Sequence, residues 1–233
     1  MRQVDVVFVH PNASKRIYQD LNKEYSAIEP PIWAGLLGNR ARQDGYNVKI
    51  IDCEAENLDV QTAAKNIGAL DPKLIVIVVY GQQPSASTQN MEGASMLCNV
   101  LHDNYAHIKT LLVGLHPSAV SRKTMEMEKA NFVCQGEGPQ TISGLLKIDM
   151  NDTAQLNDVP GLWYRDGDGI KCNAPASIIS QENLHSELPG VAWDLLPMEK
   201  YRTSNWHAMS NGGDRQPFAS IYTSLGCPFQ CSF

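Results

Sequence analysis

Short apolar runs alternate with longer polar segments over the first 150 residues of the chain. Each run is almost wholly apolar, which predicts strands that are covered on both faces. The predicted strands are residues 4–9, 47–52, 74–80, 108–113 and 131–134. The third run is β-branched at five of its seven positions, so we expect it at the centre of a sheet.

The segments between the strands carry apolar residues at intervals of three and four, as amphipathic helices do. Helices are predicted at residues 30–45, 58–70, 91–101, 118–128 and from 139 onward, with loops at 13–29, 81–88 and 114–118. Asp59 is a candidate N-cap for the second helix. The alternation predicts right-handed parallel units, and hence an α/β fold with a doubly wound, five-stranded parallel sheet in the flavodoxin-like order 2-1-3-4-5.

The pattern changes after residue 150. Two short runs flank the turn sequence Asp166-Gly-Asp-Gly169 and predict a β-hairpin. A proline-rich linker follows, whose Trp193, Leu195 and Leu196 we expect to pack against a domain outside this chain. The apolar residues 218–225 predict a further buried strand. The expected units are therefore residues 1–150, 151–216 and 217–233.

The composition of the chain disfavours several classes of function and location. The net charge is −6 and no basic run is present, which disfavours a nucleic-acid partner. No apolar run reaches the roughly 18 residues of a membrane span, and the first strand is too short for a secretory leader, so a cytoplasmic location is expected. Four isolated cysteines, at positions 53, 98, 134 and 172, are predicted to be small core residues.

Ligands bind open parallel sheets beyond the carboxyl ends of the strands. Four predicted loops meet there, at residues 10–12, 80–85, 114–117 and 136–139. They offer glycine, proline, amide, hydroxyl and imidazole groups without a cluster of carboxylates or lysines, which favours a large, nearly neutral ligand. Simpler interpretations remain open: Gly136–Gly138 as a tight turn with Glu137 capping a helix, and His116 and Tyr80 as structural residues.

The last residues carry a second candidate site. Cys227 and Cys231 follow Gly226 at a spacing of four. Thiolates this close on a flexible turn suit a soft metal or an iron–sulfur cluster, whereas the alternative is a structural pair or a disulfide.

Together these motifs resemble the cobalamin-binding domains that precede radical S-adenosylmethionine (radical SAM) barrels. The resemblance covers the whole chain: a Gly-x-His-Pro-Ser loop at 114–118, a short strand entering Gly136-Glu-Gly138, the hairpin, the linker at 192–197 and the run into Cys227. It implies that Cys227 and Cys231 are metal ligands of a 4Fe-4S cluster that binds S-adenosylmethionine. It also implies that cobalamin is bound by Pro11, Asn12, Tyr80, Gly81, Gln82, Gly114, Leu115, His116, Pro117, Gly136, Glu137 and Gly138.

The cluster motif of that family is Cys-x3-Cys-x2-Cys, and its third cysteine would follow Phe233. We therefore expect an N-terminal fragment that is inactive by itself. In the family the cluster reduces S-adenosylmethionine to a radical, and cobalamin often relays a methyl group to an unreactive carbon, although some members catalyse cyclisation or rearrangement. A small-molecule substrate and an electron donor such as a flavodoxin or ferredoxin are the implied partners.

Two other classes compete with this interpretation. One is a stand-alone cobalamin-binding module, and the other is a flavodoxin-like cofactor carrier. A further expectation concerns cobalt: where cobalamin proteins supply a histidine ligand they have an Asp-x-His-x-x-Gly loop, but this chain has Phe8 and Ala13 at the Asp and Gly positions around His10. We expect cobalamin to bind without its own base and without a histidine on cobalt.

Overall fold

The structure is a computed structural model that describes residues 4–19, 26–81, 84–167, 169–204 and 215–226. Its strands are β1 (Val6–His10), β2 (Val48–Asp52), β3 (Leu74–Val79), β4 (Lys109–Gly114), β5 (Phe132–Cys134), β6 (Leu162–Asp166) and β7 (Gly169–Cys172). Its α-helices are α1 (Ser14–Tyr18), α2 (Ile32–Gln43), α3 (Val60–Leu70), α4 (Pro84–Asn104), α5 (Leu115–Ala119), α6 (Ser121–Met127), α7 (Pro139–Leu146), α8 (Thr153–Leu156) and α9 (Leu184–Glu187).

The strands form one sheet in the order β2-β1-β3-β4-β5-β6-β7. The first five are parallel and have the predicted order 2-1-3-4-5. The predicted hairpin is present as β6 and β7, and it continues the sheet by pairing antiparallel with β5, so that Tyr164 lies opposite Phe132. Leu162 and Tyr164 are buried there, because the free edge of β5 gives them an apolar surface to cover.

Alternate residues of the parallel strands enter two separate cores. Val6 and Phe8 of β1 face a core shared with α2 and α7, whereas Val7 and Val9 face a core shared with α3 and α4. Helices on both faces explain why the strands are apolar at every position rather than at alternate ones.

Several element boundaries differ from the predictions. α4 begins at Pro84, inside a predicted loop, because a proline in the first helical turn loses no intrahelical hydrogen bond. The predicted loops at 13–29 and 114–118 contain the short helices α1 and α5. Asp59 does cap α3, since its carboxylate accepts a hydrogen bond from the Thr62 N–H at 2.8 Å.

Residues 188–204, here called the strap, run back across α2. The prediction that Trp193, Leu195 and Leu196 cover a domain outside this chain is wrong, because they pack on the α2 side of the sheet. Close contact is possible since Gly35 of α2 has no side chain: a Cβ there would lie 2.4 Å from Val191 Cγ1. The Ala192 N–H donates to the Gly35 carbonyl at 3.1 Å.

The predicted strand at 218–225 is also wrong. No residue of this segment lies in a strand: the isolated bridge between Arg202 and Pro217 comes just before it, the Phe218 N–H donates to the Tyr201 carbonyl at 3.3 Å, and Ile221 is 73% exposed. A strand is stable only when its backbone groups pair with a neighbour, which the pattern of apolar residues does not supply.

The isolated cysteines follow the prediction with one exception. Cys53, Cys98 and Cys134 are buried, whereas Cys172 is exposed on β7, the outer strand of the hairpin. Among the described residues, no helix is long and apolar enough to cross a membrane.

Candidate functional site

The carboxyl ends of β1, β3, β4 and β5 lie along one edge of the sheet, because these strands are parallel. The chain leaves them through residues 10–12, 80–81, 114–117 and 136–138, so the predicted binding residues in these loops share that edge. We call residues 10–12 and 80–81 the β1–β3 half, and residues 114–117 and 136–138 the β4–β5 half. Gln82, Cys227 and Cys231 lie outside the described residues.

Backbone conformations that favour glycine shape the β4–β5 half. Gly114 has φ 154° and ψ 175°, and a Cβ there would lie 2.2 Å from the carbonyl oxygen of Val79. Gly138 has φ 110°, and its Cβ would lie 2.9 Å from Val113 Cγ2. Gly136 has φ 122° but no close neighbour, the nearest atom being 3.9 Å from its Cβ position. The first two glycines therefore permit close internal packing, whereas a Cβ at the third would make only an ordinary contact with Ala176.

Two hydroxyl groups tie the loops together. Ser87 Oγ donates to the Val79 carbonyl and accepts from the His116 N–H at 3.0 Å, joining the ends of β3 and β4. Ser118 Oγ accepts from the Gly136 N–H at 2.9 Å, joining the ends of β4 and β5. Sequence analysis misses Ser87, whose position in the first turns of α4 becomes visible only once that helix is known to begin at Pro84.

The β4–β5 half also carries three side chains that differ in exposure, those of Leu115, His116 and Pro117. Leu115 is 42% exposed, whereas Pro117 is buried. His116 is partly buried, and its Nδ1 lies 3.0 Å from Thr88 Oγ1 of α4. Glu137 contributes its carbonyl, which accepts a long 3.4 Å hydrogen bond from the Tyr80 hydroxyl.

Cavities occur in the β1–β3 half. A cavity of about 500 Å³, here called the Trp33 cavity, lies between the ends of β1 and β3 and the first turns of α2 and α4; Tyr80, Gly81 and His10 line it. Trp33 stacks on Tyr80, with ring centroids 4.3 Å apart and planes inclined by 13°. Burial raises the pKa of Tyr80, so its hydroxyl stays protonated and can donate.

A larger cavity of about 810 Å³ lies on the α3–α4 side of the sheet and contains Pro11 and Asn12. The Asn12 side chain is held internally there: its Nδ2 donates to the Cys53 carbonyl at 3.3 Å, and its Oδ1 accepts from Ser14 Oγ at 2.9 Å. The structure thus brings the predicted residues to one edge but divides them between two cavities and the β4–β5 half, where Gly114 and Gly138 are buried and Gly136 is partly buried.

Buried ionisable groups stand below the β1–β3 half, and sequence analysis misses this cluster. His10 and Asp52 are register partners at the ends of β1 and β2, with 8% and 0% exposure. His10 Nε2 lies 3.6 Å from Glu54 Oε2, and Asp52 Oδ2 accepts from the Tyr201 hydroxyl at 3.0 Å. Sequence signals exist for His10, which follows an apolar run in a predicted loop, and for Asp52, a charged residue that ends an apolar run, but not for their contact with Glu54 and Tyr201.

The pKa values of His10 and Asp52 are both shifted upward. Burial by itself lowers the pKa of His10, but the hydrogen bond to Glu54, the charges of Asp52 and Glu54, and the Val78 carbonyl together raise it above 6.5. Burial raises the pKa of Asp52, against the opposing effects of His10, the Ala55 N–H and Tyr201. His10 is therefore favoured in its protonated form, with its ring committed to internal partners.

The edge fits a large, polyamide ligand with little net charge. Among its described predicted residues, only Glu137, His116 and Tyr80 can ionise, and the partly buried Gly136 places no side chain in the way of a ligand. No group of three or more His, Cys, Asp or Glu side chains in the described ranges is arranged to hold a metal ion.

Comparisons with known proteins agree with this geometry. The family model of the B12 binding domain matches residues 18–146, more than half of the chain. An uncharacterized methyltransferase of Pyrococcus horikoshii is 29% identical over 205 residues, which are 88% of this chain and 40% of that protein.

Two solved proteins share the fold. The cobalamin-dependent S-adenosylmethionine radical enzyme OxsB, with aqua-cobalamin bound, matches with a TM-score of 0.58 and 18% identity over 83% of this chain and 25% of its own. The radical S-adenosylmethionine methyltransferase TsrM from Kitasatospora setae, with cobalamin and a [4Fe-4S] cluster bound, matches with a TM-score of 0.51 and 18% identity over 78% of this chain and 30% of its own.

This chain spans less than half the length of each of these relatives. The family model nevertheless covers β2 to β5 and the helices between them, which carry most of the carboxyl edge. The chain therefore belongs to the family of B12-binding domains.

Proposed function

We propose that the chain binds cobalamin across the carboxyl edge of its sheet, in contact with the residues that the resemblance implies. The room beside Gly136 carries this proposal, because this glycine is only partly buried and the nearest atom to a Cβ built there, Ala176 Cβ, is 3.9 Å away. The family match supports cobalamin as the cofactor, and the low number of ionisable groups at the edge suits a corrin with neutral amide side chains.

The β4–β5 half of the edge contributes to binding through its backbone, an apolar side chain and the bonds between its loops. In this half, Gly136 allows a flat ligand to approach the loop, and Leu115 offers apolar contact at the rim. Ser87 and Ser118 keep these loops in register with one another. When bound, cobalamin supplies a cobalt centre that can carry a methyl group; the chain binds and orients it.

For the whole protein we propose a cobalamin-dependent radical SAM enzyme that methylates an unreactive carbon or catalyses a related rearrangement or cyclisation. The names of the Pyrococcus relative, OxsB and TsrM support this class. In this proposal Cys227 and Cys231 are ligands of a 4Fe-4S cluster that binds S-adenosylmethionine, and a flavodoxin or ferredoxin supplies electrons to it. Residues 1–150 form the cobalamin unit, 151–216 the hairpin and linker, and 217–233 the start of the radical SAM unit.

The test is to titrate the purified chain with hydroxocobalamin and measure the cobalt chromophore that remains after gel filtration. We expect about one equivalent with the wild-type chain and a much weaker complex with Gly136→Ala, whose methyl group would occupy the room beside this loop. Gly45→Ala is the matched control: Gly45 also has a positive φ, 94°, and a Cβ there would likewise meet no atom closer than 3.9 Å, but it lies between α2 and β2, at the opposite edge.

Two results would contradict the proposal. One is a wild-type chain that is folded by circular dichroism and retains no chromophore. The other is an equal loss of affinity in the Gly136 and Gly45 variants, which would place the ligand away from the β4–β5 half.

A further inference from the structure

Glu54 lies where the two cavities of the β1–β3 half adjoin each other. It lines both the Trp33 cavity and the larger cavity on the α3–α4 side. Its side chain is 23% exposed, whereas the neighbouring His10 and Asp52 are almost completely buried. A ligand group that enters either cavity therefore comes within reach of the Glu54 carboxylate.

The position of Glu54 is fixed by its own turn and by His10. Its backbone N–H donates to Asp52 Oδ1 at 3.1 Å, and its carbonyl accepts from the Asn57 N–H at 3.0 Å. One side-chain oxygen, Oε2, lies 3.6 Å from His10 Nε2. Within the described part of the chain, the other oxygen, Oε1, has no hydrogen-bond or ion-pair partner. The carboxylate is therefore held in place with an acceptor left for a ligand.

The charges around Glu54 indicate which kind of donor suits that oxygen. The raised pKa of His10 favours a cationic ring, which balances the negative charge of Glu54. The charges of Asp52 and Arg215 also act on Glu54, with opposite signs. An ammonium group would leave an excess of positive charge beside His10, and a carboxylate has no proton to donate. A neutral N–H group meets both conditions, and its hydrogen bond to a charged acceptor is stronger than one between neutral groups.

The rest of the Trp33 cavity suits an aliphatic stem. Among the residues that line it are Pro31, Ile32 and Trp33, and the cavity is open to solvent. Its volume of about 500 Å³ takes a side arm of a corrinoid rather than the whole molecule. A short aliphatic chain that ends in a primary amide therefore matches both the apolar lining and Glu54.

We propose that Glu54 accepts a hydrogen bond from one of the peripheral amides of the corrin, and that it thereby selects amidated corrinoids over those that carry a free carboxylate at that position. The inference rests on the proposed function, since the ligand in question is cobalamin. It adds to that function a residue that determines which corrinoid is bound.

The test measures, by absorbance titration, the affinity of the whole chain for hydroxocobalamin and for its monocarboxylic acids, in each of which a different propionamide is replaced by propionate. We expect at least one acid to bind the wild-type chain about tenfold or more weakly than hydroxocobalamin, because its carboxylate faces Glu54. Glu54→Gln, whose amide can donate to a carboxylate, should reduce this difference to about twofold or less.

Glu56→Gln is the matched control. Glu56 lies two positions away in the same turn and is also partly buried, but it lines neither cavity. Its replacement removes the same charge from a chain whose net charge is −6, so it reports the general repulsion of an anion. We expect Glu56→Gln to keep the wild-type preference for hydroxocobalamin.

The outcomes separate the role of Glu54 from the proposed function. A wild-type chain that binds hydroxocobalamin and every acid equally well overturns the role of Glu54 and leaves the proposed function intact. The same conclusion follows if the preference survives in Glu54→Gln, or if it is lost equally in Glu56→Gln. A wild-type chain that binds no hydroxocobalamin overturns both. If Glu54→Gln does not fold, Glu54→Asp, which keeps the charge beside His10 but withdraws it from the cavity, is measured against the same predictions.

Discussion

The two halves of the carboxyl edge are held in place by different kinds of interaction. The β4–β5 half is shaped by backbone: glycines with positive φ, and serine hydroxyls that join neighbouring loops. The β1–β3 half rests on side chains, with the cluster of His10, Glu54, Asp52 and Tyr201 below the Trp33 cavity. A surface made of backbone is fixed by local sequence, whereas one made of distant side chains can change when one segment moves.

The largest expected effect comes from adding a side chain in the backbone-shaped half. Gly114→Ala should cost about 3 kcal/mol or more in the free energy of unfolding, because an unfavourable conformation is combined with a clash against the Val79 carbonyl. Gly45→Ala, where strain occurs without a clash, should cost about 1–2 kcal/mol. Urea unfolding followed by circular dichroism measures both, and similar losses would show that packing at Gly114 is not tight.

A smaller effect is expected from the strap. Leu196→Ala should lower the free energy of unfolding by about 2–3 kcal/mol, since Leu196 is 7% exposed and packs on the α2 side of the sheet. Ile178→Ala, at a side chain that is 91% exposed, should change it by less than about 0.5 kcal/mol. If both variants unfold at the same urea concentration, Leu196 of the strap contributes nothing measurable to the free energy of unfolding.

The cluster of His10, Glu54, Asp52 and Tyr201 should make the stability of the chain depend on pH, and this effect should be smaller than that of Leu196→Ala. The raised pKa of His10 means that the folded chain binds this proton more tightly, so its contribution to stability is complete below 6.5 and is lost as the pH rises through the folded-state value. The raised pKa of Asp52 acts in the same direction, starting from 3.8. The stability difference between wild type and His10→Gln should therefore narrow as the pH rises from about 6 to about 8.

Thermal unfolding monitored at several pH values measures this difference. His107→Gln provides the control, because His107 is exposed and pairs with Asp71 at the surface. If the difference in stability between wild type and His10→Gln stays constant across this pH range, Glu54 and Asp52 do not hold the proton on His10.

The last prediction is that replacing either histidine leaves the spectrum of bound cobalamin unchanged. We predict that bound cobalamin has no histidine on cobalt, because His10 Nε2 faces Glu54 and, among the described contacts, the ring of His116 is held by the Thr88 hydroxyl rather than by a carboxylate. Electron paramagnetic resonance of the Co(II) form should show no nitrogen superhyperfine splitting in wild type, His10→Ala or His116→Ala. Splitting that disappears in one of the variants would identify that histidine as a ligand and contradict the prediction.

The features that sequence predicts are those set by local pattern. The five parallel strands, the order of the sheet and the four loops at its edge follow from apolar runs and the glycines and prolines after them. The interior face of α4 follows from the spacing of Met91, Leu97 and Leu101. Each of these needs information from only a few neighbouring residues.

The features that sequence does not predict depend on contacts between distant segments. Asp52 and Tyr201 are 149 positions apart, and nothing in either neighbourhood indicates the other. The strap carries an apolar sequence, which predicts that it covers a surface but not which one. Arg165 similarly holds β6 against the end of α6 by donating to the carbonyls of Met125, Glu128 and Ala130, a role that its position in a hairpin does not suggest.

The hairpin also determines how the sheet meets other molecules. Without it, β5 would present three buried, apolar residues and their unpaired backbone groups at the side of the molecule. With the hairpin present, the edge strand of the sheet is β7, a four-residue strand in which Lys171 is exposed and pairs with Asp166 at 2.5 Å. Short, charged border strands discourage the pairing of one sheet with another, so the hairpin protects the chain against aggregation during and after folding.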